Sequence, residues 1–303
     1  MSSVIIGTIA FDTLQTPRAQ GDQLLGGSAV YAGLAARLVS DNPIGLVSII
    51  GQDFPDAYQA VLNTVDTTGV VRSSGKTFHW SGEYRGDMSQ AITRQTALNV
   101  LTEFDPQVPA AFRKNSLIFC ANNDPESQSR VLDQCDSPTY IVLDTMNFWI
   151  ETKRDALLDV LKRVNLLIIN DQELLELTQE TSVMLGLASV LAYGPQAVIV
   201  KKGENGALFY DRTHTVYTPA YPIKDLIDPT GAGDTFAGGF IGVLDRSQDY
   251  SLTGIKRAMI TGTILAGITV QHLGTAGLQT TKRADLDLYY KQYYQYAGLP
   301  PMQ

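Results

Sequence analysis

A three-layer α/β/α fold with a mostly parallel sheet and an inserted β hairpin is the architecture this sequence predicts, on three observations. Short, continuously apolar, β-branched runs alternate with longer helical patterns through most of the chain. Those runs lack the in–out alternation of a half-exposed sheet, so helices must cover both of its faces. Residues 76–100 break the rhythm with alternating positions around the turn-like Arg85-Gly86-Asp87, which reads as a hairpin.

Taken in order, residues 4–9 form the opening strand, whose apolar run continues to Asp12. Gly26 and Gly27 then introduce a helix of small residues over 28–39. Strands follow at 44–50, 117–120, 140–143, 166–169 and 197–201, with helices at 57–63, 125–134, 153–164 and 183–192 between them. The segment Lys201-Lys202-Gly203-Glu204-Asn205-Gly206 reads as a turn, and 207–210 with 215–218 continue as a meander. A helix starts near 232, a long one rich in Ala, Gly and Thr covers 255–271, and 272–278 reads as a loop. The expected organisation is one domain over 1–303, with the hairpin at 76–100 inserted in it. A hairpin inserted in such a core must cover something or be covered. In open α/β sheets ligands bind beyond the carboxyl ends of the strands.

Composition narrows the function classes. With 23 Lys and Arg against 31 Asp and Glu, a formal charge of −8 argues against a general nucleic-acid or membrane-surface binder. The first residues, MSSVIIGTIAFD, show no basic region before a sustained apolar run, and no stretch reaches membrane-spanning length, so a cytoplasmic location is expected. Cys120 and Cys135 offer neither a disulfide framework nor metal-ligand spacing.

The densest chemical signal is Asp228-Pro229-Thr230-Gly231-Ala232-Gly233-Asp234, followed by a glycine-rich apolar run to Phe240. Small residues at 231–233 let the backbone approach a charged ligand, and the unpaired N–H groups of a helix start favour an anion there. A carboxylate at such a place repels a phosphate unless it has a task. Accepting a proton from an attacking hydroxyl is one task, and capping the helix is another. Asn170 and Glu173 follow an apolar strand at a spacing that fits either a shared functional face or a capping box. Asp12 reads as a ligand for two neighbouring hydroxyls or as a turn former. Asn122 and Asn147 follow strands and so lie near a cleft, while Trp80 and Tyr84 share one face of the hairpin.

The segment DPTGAGDTFAGGF resembles the C-terminal signature of the ribokinase-like sugar kinases, the PfkB carbohydrate kinase family. Three further pieces recur in the family's order: VIIGTIAFD at 4–12, GGSAVYAGLAA at 26–36 and Asn170-Asp171-Gln172-Glu173. The resemblance implies a ribokinase-like fold and an ATP-dependent kinase acting on a hydroxyl, most simply a hydroxymethyl, of a small sugar or related polyol. It implies Asp234 as base, Gly231, Ala232 and Gly233 as the anion hole, and Asp12, Gly26, Gly27 and Ser28 at the sugar. It further implies Asn170 and Glu173 around Mg²⁺ and the ATP phosphates, Lys201 and Gly203 at the nucleotide, and Asp228 and Thr230 beside a monovalent cation such as K⁺. The resemblance makes the hairpin the main part of a small β lid built mainly from 76–100, which would close over the sugar and offers a homodimer contact, and the shorter segment 13–25 implies a reduced lid. One position departs from the pattern: members commonly carry Asn four residues after the second glycine, where this chain has Tyr31. The resemblance therefore does not specify the acceptor, and a nucleoside kinase or a catalytically silent sugar-binding sensor are the alternatives.

Overall fold

The computed structural model describes residues 2–114 and 116–298. Its larger sheet has nine strands: β1 (Ser3–Ile6), β4 (Ile44–Ile50), β5 (Asp66–Arg72), β8 (Leu117–Cys120), β9 (Tyr140–Asp144), β10 (Leu166–Asn170), β11 (Ala197–Lys201), β12 (Ala207–Tyr210) and β13 (Thr215–Thr218). The spatial order is β13-β12-β11-β10-β9-β8-β1-β4-β5, parallel except for β12 and β13 at one edge. The second sheet has order β3-β2-β6-β7, from β2 (Ala10–Gln15), β3 (Gln20–Gly26), β6 (Phe78–Tyr84) and β7 (Ala91–Ala97).

Side chains alternate between two cores, one on each face of the large sheet. Val4 and Ile6 join one cluster while Ile5 joins the other, and Leu167 and Ile169 part in the same way from Leu166 and Ile168. Burial on both faces explains why these strands read as unbroken apolar runs. The helices are α1 (Ser28–Val39), α2 (Asp56–Leu62), α3 (Pro125–Asp133), α4 (Asn147–Thr152), α5 (Arg154–Leu161), α6 (Asp171–Thr178), α7 (Val183–Leu191), α8 (Ala232–Ser247), α9 (Leu252–Thr269), α10 (Ala276–Thr280) and α11 (Leu286–Ala297). Helix α8 lies against α1 so closely that a Cβ at Gly238 would collide with the Ala32 backbone carbonyl. The glycines of the 228–240 run thus serve the helix contact as well as the loop.

The structure corrects several expectations. The opening run is two strands in two sheets, because the chain turns at residues 7–9. A Cβ at Gly7 would meet Ser28 Oγ at 2.6 Å, so the turn is pressed against the start of α1. Asp12 accordingly lies on β2 of the small sheet, not at the end of a core strand. Half of the lid sheet comes from 10–26 rather than from 76–100, and the parallel β2–β6 pairing joins the halves. The helix expected over 153–164 is preceded by a separate short α4, and the loop expected at 272–278 leads into α10. Strand β5 and the tyrosine-rich α11 were not foreseen.

Candidate active site

Parallel strands β10 and β11 end in register at Asn170 and Lys201, and β9 ends two residues short of them at Asp144, paired with Ile168, so the three residues share one end of the sheet. Asp144 is buried and its Oδ2 accepts a 2.8 Å hydrogen bond from Lys201 Nζ, while its Oδ1 accepts from the Thr145 N–H at 2.8 Å. Lys201 is therefore not a solvated turn residue. Its ammonium reaches the start of α8, where a Cβ at Gly233 would lie 3.0 Å from Nζ.

Helix α8 begins behind Gly231, whose φ of 72° is left-handed and suits glycine. The loop before it is held by Asp228, fully buried, whose Oδ1 accepts from the Thr230 N–H and whose Oδ2 accepts from the Gly274 N–H, both at 2.9 Å. The Ala232 N–H turns back to the Pro229 carbonyl at 3.2 Å, so the anion hole is not made of three equivalent amides. The N–H groups of Gly231 and Gly233 have no acceptor among the described residues. Asp234 stands in the first turn of α8. Burial and then the Asp144 carboxylate raise its pKa to about 7, against the lowering pull of Lys201. A group that ionises near neutral pH suits a general base.

Glu173 and Asn170 form the capping box in full: Asn170 Oδ1 accepts from the Glu173 N–H at 2.8 Å, and Glu173 Oε2 from the Asn170 N–H at 3.0 Å. That accounts for the spacing structurally. It does not exhaust Glu173, whose carboxyl burial lifts to about 7 with Lys201 and Asp144 in electrostatic reach. Gly203 sits in the exposed turn after β11 with a φ of 53°, and open space surrounds its Cβ position.

On the other side of the loop stands Asp12, buried, its pKa raised to about 8 by desolvation and then by Asp228 and Asp234. The Gly27 N–H donates to it, and a Cβ at Gly26 would overlap its carboxylate. The two glycines thus admit the carboxylate itself. Ser28 is not a substrate-facing hydroxyl here: it accepts from the Thr8 N–H at 3.0 Å and donates to the Asn122 carbonyl at 2.8 Å. Asn122 uses its side chain to brace Trp149 Nε1 (3.0 Å) and Met146 Sδ (3.1 Å), and Asn147 is exposed at the start of α4. Trp80 lies against Gly82 and donates to Thr93 Oγ1 at 3.3 Å, within the lid.

Several contacts fasten the lid to the core, and two of them reach the α8 loop and α6. Thr230 Oγ1 donates to Tyr84 Oη at 3.2 Å, and Gln90 Nε2, beyond the hairpin turn, donates to Gln172 Oε1 on α6 at 2.9 Å. Neither partner in the second contact stands out in the sequence. Its place after a strand sets Asp144 near a cleft in the sequence, but nothing local marks it as the partner of a lysine 57 positions away.

The arrangement can hold an anion above the α8 start, with a carboxylate poised near neutral pH beside it. Solved structures share the fold: the nucleoside kinase of Burkholderia thailandensis in complex with inosine matches with a TM-score of 0.78 at 17% identity, covering 99% of this chain and 100% of that one. The fructokinase of Vibrio cholerae O395, in its fructose-, ADP- and calcium-bound form, matches with a TM-score of 0.77 at 19% identity, covering 95% and 99%. In sequence, the cytidine kinase of Thermococcus kodakarensis is 30% identical over 264 residues, which are 84% of this chain and 94% of that protein. The model of the pfkB family carbohydrate kinases matches residues 11–282, and so this chain, with its carboxylate beside a glycine anion loop, belongs to that kinase family.

Proposed function

We propose that the protein transfers the γ-phosphoryl group of ATP to a hydroxymethyl group of a small sugar or related polyol. The observation that carries this reading is Asp234, ionising near neutral pH beside the free N–H groups of Gly231 and Gly233. The acceptor O–H proton passes to the Asp234 carboxylate and the acceptor oxygen bonds to the γ-phosphorus. The bond from that phosphorus to the β–γ bridging oxygen breaks, releasing ADP. Gly231 and Gly233 donate to the transferring group, and Lys201, fixed by Asp144, sets a positive charge beneath it. Lid closure, held at Tyr84 and Gln90, excludes water from the transfer.

Mg²⁺ fits the nucleotide side, where Glu173 offers the hard oxygen donor that such an ion takes directly or through water. Bound there with ATP, it would neutralise phosphate charge. Asp228 and Thr230 keep oxygen lone pairs for a monovalent cation: each Asp228 oxygen accepts one backbone N–H, and the Thr230 hydroxyl donates to Tyr84 and retains its acceptor capacity.

A nucleoside acceptor is the second reading, because its ribose carries the same hydroxymethyl and the cytidine kinase similarity runs through most of both chains. The test is ADP release with ATP and Mg²⁺ over hexoses, pentoses, polyols and nucleosides, beside an Asp234→Asn control. Acceptor-dependent turnover lost in the control supports the kinase and names its acceptor. Saturable acceptor binding without turnover supports a silent sensor instead.

A further inference from the structure

Away from the active site, a cavity of about 400 Å³ lies where the C-terminal ends of α1 and α8 meet the start of α11. Val39 and Leu286 give it apolar walls, and Arg246, Arg283, Asp287 and Tyr290 line it with polar groups. Ala232 opens α8 and Arg246 lies in its last turn, so the helix rise sets the cavity about 20 Å from the anion loop.

The chain carries a formal charge of −8, yet three guanidiniums gather here. Arg37, Arg246 and Arg283 all act on Asp41, an exposed carboxylate that pairs with Arg283 and lies 3.9 Å from Arg37. Complementing a helix dipole accounts for Arg37, in the last turn of α1, which donates to the Ser40 carbonyl at 2.5 Å. Arg246 also ends its helix but makes no hydrogen bond or ion pair among the described residues, so its guanidinium is left for the cavity it lines. Arg283 belongs to the 3₁₀ turn Arg283–Asp285 that runs into α11, the end of a helix where its dipole disfavours a cation. Acceptors stand opposite these donors. Thr261 Oγ1 donates to the Arg257 carbonyl at 2.9 Å, so Tyr290 is the donor in its 2.5 Å bond to Thr261 and its phenolic oxygen is left to accept. Asp287, in the first turn of α11, adds a carboxylate.

We propose that this cavity is a second ligand site, taking a small organic phosphomonoester that carries hydroxyl or amino groups. Arg246 and Arg283 fork onto the phosphate, a dianion that balances two guanidiniums where a single carboxylate balances one. Tyr290 and Asp287 accept from the ligand's O–H or N–H groups, and Val39 and Leu286 face its carbon skeleton. The volume falls in the range of small-molecule sites and far exceeds a bare phosphate. None of these residues belongs to the anion loop or the acceptor side, so the site stands whether or not the kinase reading does.

Isothermal titration calorimetry on the full chain tests the site, with Mg²⁺ and saturating AMP-PNP present to fill the anion loop. The probes are glycerol 3-phosphate, D-ribose 5-phosphate and AMP, beside inorganic phosphate and D-glycerate. At least one phosphomonoester is expected to bind one-to-one and at least about tenfold tighter than inorganic phosphate or D-glycerate, because the guanidinium bonds are charge-assisted. Arg246→Gln and Arg283→Gln should each raise its Kd at least about tenfold, and Arg246→Lys should raise it less than Arg246→Gln. The ligand-free melting temperature of Arg246→Gln should stay that of the wild type, since this side chain has no bonded partner to lose. Failure of all three phosphomonoesters to bind overturns the proposal, and so does a Kd that Arg246→Gln leaves unchanged. D-glycerate binding as tightly would overturn the choice of a phosphate, and inorganic phosphate binding as tightly would overturn the choice of an organic ester. The Arg246→Gln comparison decides even if AMP-PNP fails to bind, a result that would count against the kinase reading alone.

Discussion

On the strand side of the anion loop, Asp144, Glu173 and Asp234 surround the ammonium of Lys201, which pairs with Asp144 at 2.8 Å. On the lid side, Asp12 and Asp228 stand with the phenols of Tyr31 and Tyr84, and the charges that act on Asp12 are two more carboxylates. The first cluster meets negative charge with a fixed cation, and the second with hydroxyls and a retained proton. That division matches the two partners of a phosphoryl transfer. Phosphates need a positive charge in place, whereas a neutral polyol needs donors and acceptors.

The largest effect is expected on the strand side of the loop. Asp234→Asn should keep the fold and lower kcat about 1,000-fold, within the range of a general base, in steady-state assays with the identified acceptor. Near-normal turnover would remove Asp234 from the chemistry. Next, Lys201→Met should lower kcat/KM for ATP about 100-fold and cost about 3 kcal/mol in denaturant unfolding, because Asp144 keeps a buried charge without its partner. If only stability fell, Lys201 would serve the fold alone. Losing the cation also raises Asp234 further, so the acidic limb of the rate profile should move upward from about pH 7.

The lid side should respond to pH instead. Asp12 holds its proton up to about pH 8 in the folded chain, against 3.8 for an ordinary aspartate. The folded state then binds more protons than the unfolded one across that window, so stability is present below it and falls as pH rises through about 8. Ligand-free melting temperatures should decline over this range, and Asp12→Asn should flatten the decline. A profile unchanged by the substitution would mean that Asp12 ionises normally. The smallest effect is on the latch: Thr230→Val removes one neutral hydrogen bond to Tyr84 and should cost about 1 kcal/mol, read as a several-fold rise in acceptor KM.

Much of the core was legible because its strands are buried on both faces and its helices repeat at their own period. The hairpin at 76–100 was visible for the same kind of reason, with Arg85-Gly86-Asp87 marking its turn. What failed was pairing between distant segments. The run through residues 4–12 stays apolar across a change of sheet, since Val4 to Ile6 and Ala10 to Phe11 are buried in both. The polar segment 20–26 gives little strand signal, yet pairs with β2. Around the anion loop, Asp234, Asp12 and the two glycines at 26 and 27 were read from the sequence and lie together. The Lys201–Asp144 pair and the bracing roles of Ser28 and Asn122 depend on contacts that no local pattern records.

That no fixed cation acts on Asp12 among the described residues also bears on turnover after the transfer. On the proposed reaction the acceptor arrives neutral and departs as a phosphomonoester, dianionic at neutral pH. Asp228 then faces a ligand of its own sign, and Asp234 and Asp12 join it as they lose their protons near pH 7 and pH 8, in a buried setting where repulsion is poorly screened. The pocket that tolerates the substrate thus works against retaining the product, and the phosphorylated acceptor should be a weak inhibitor whose grip slackens further as pH rises.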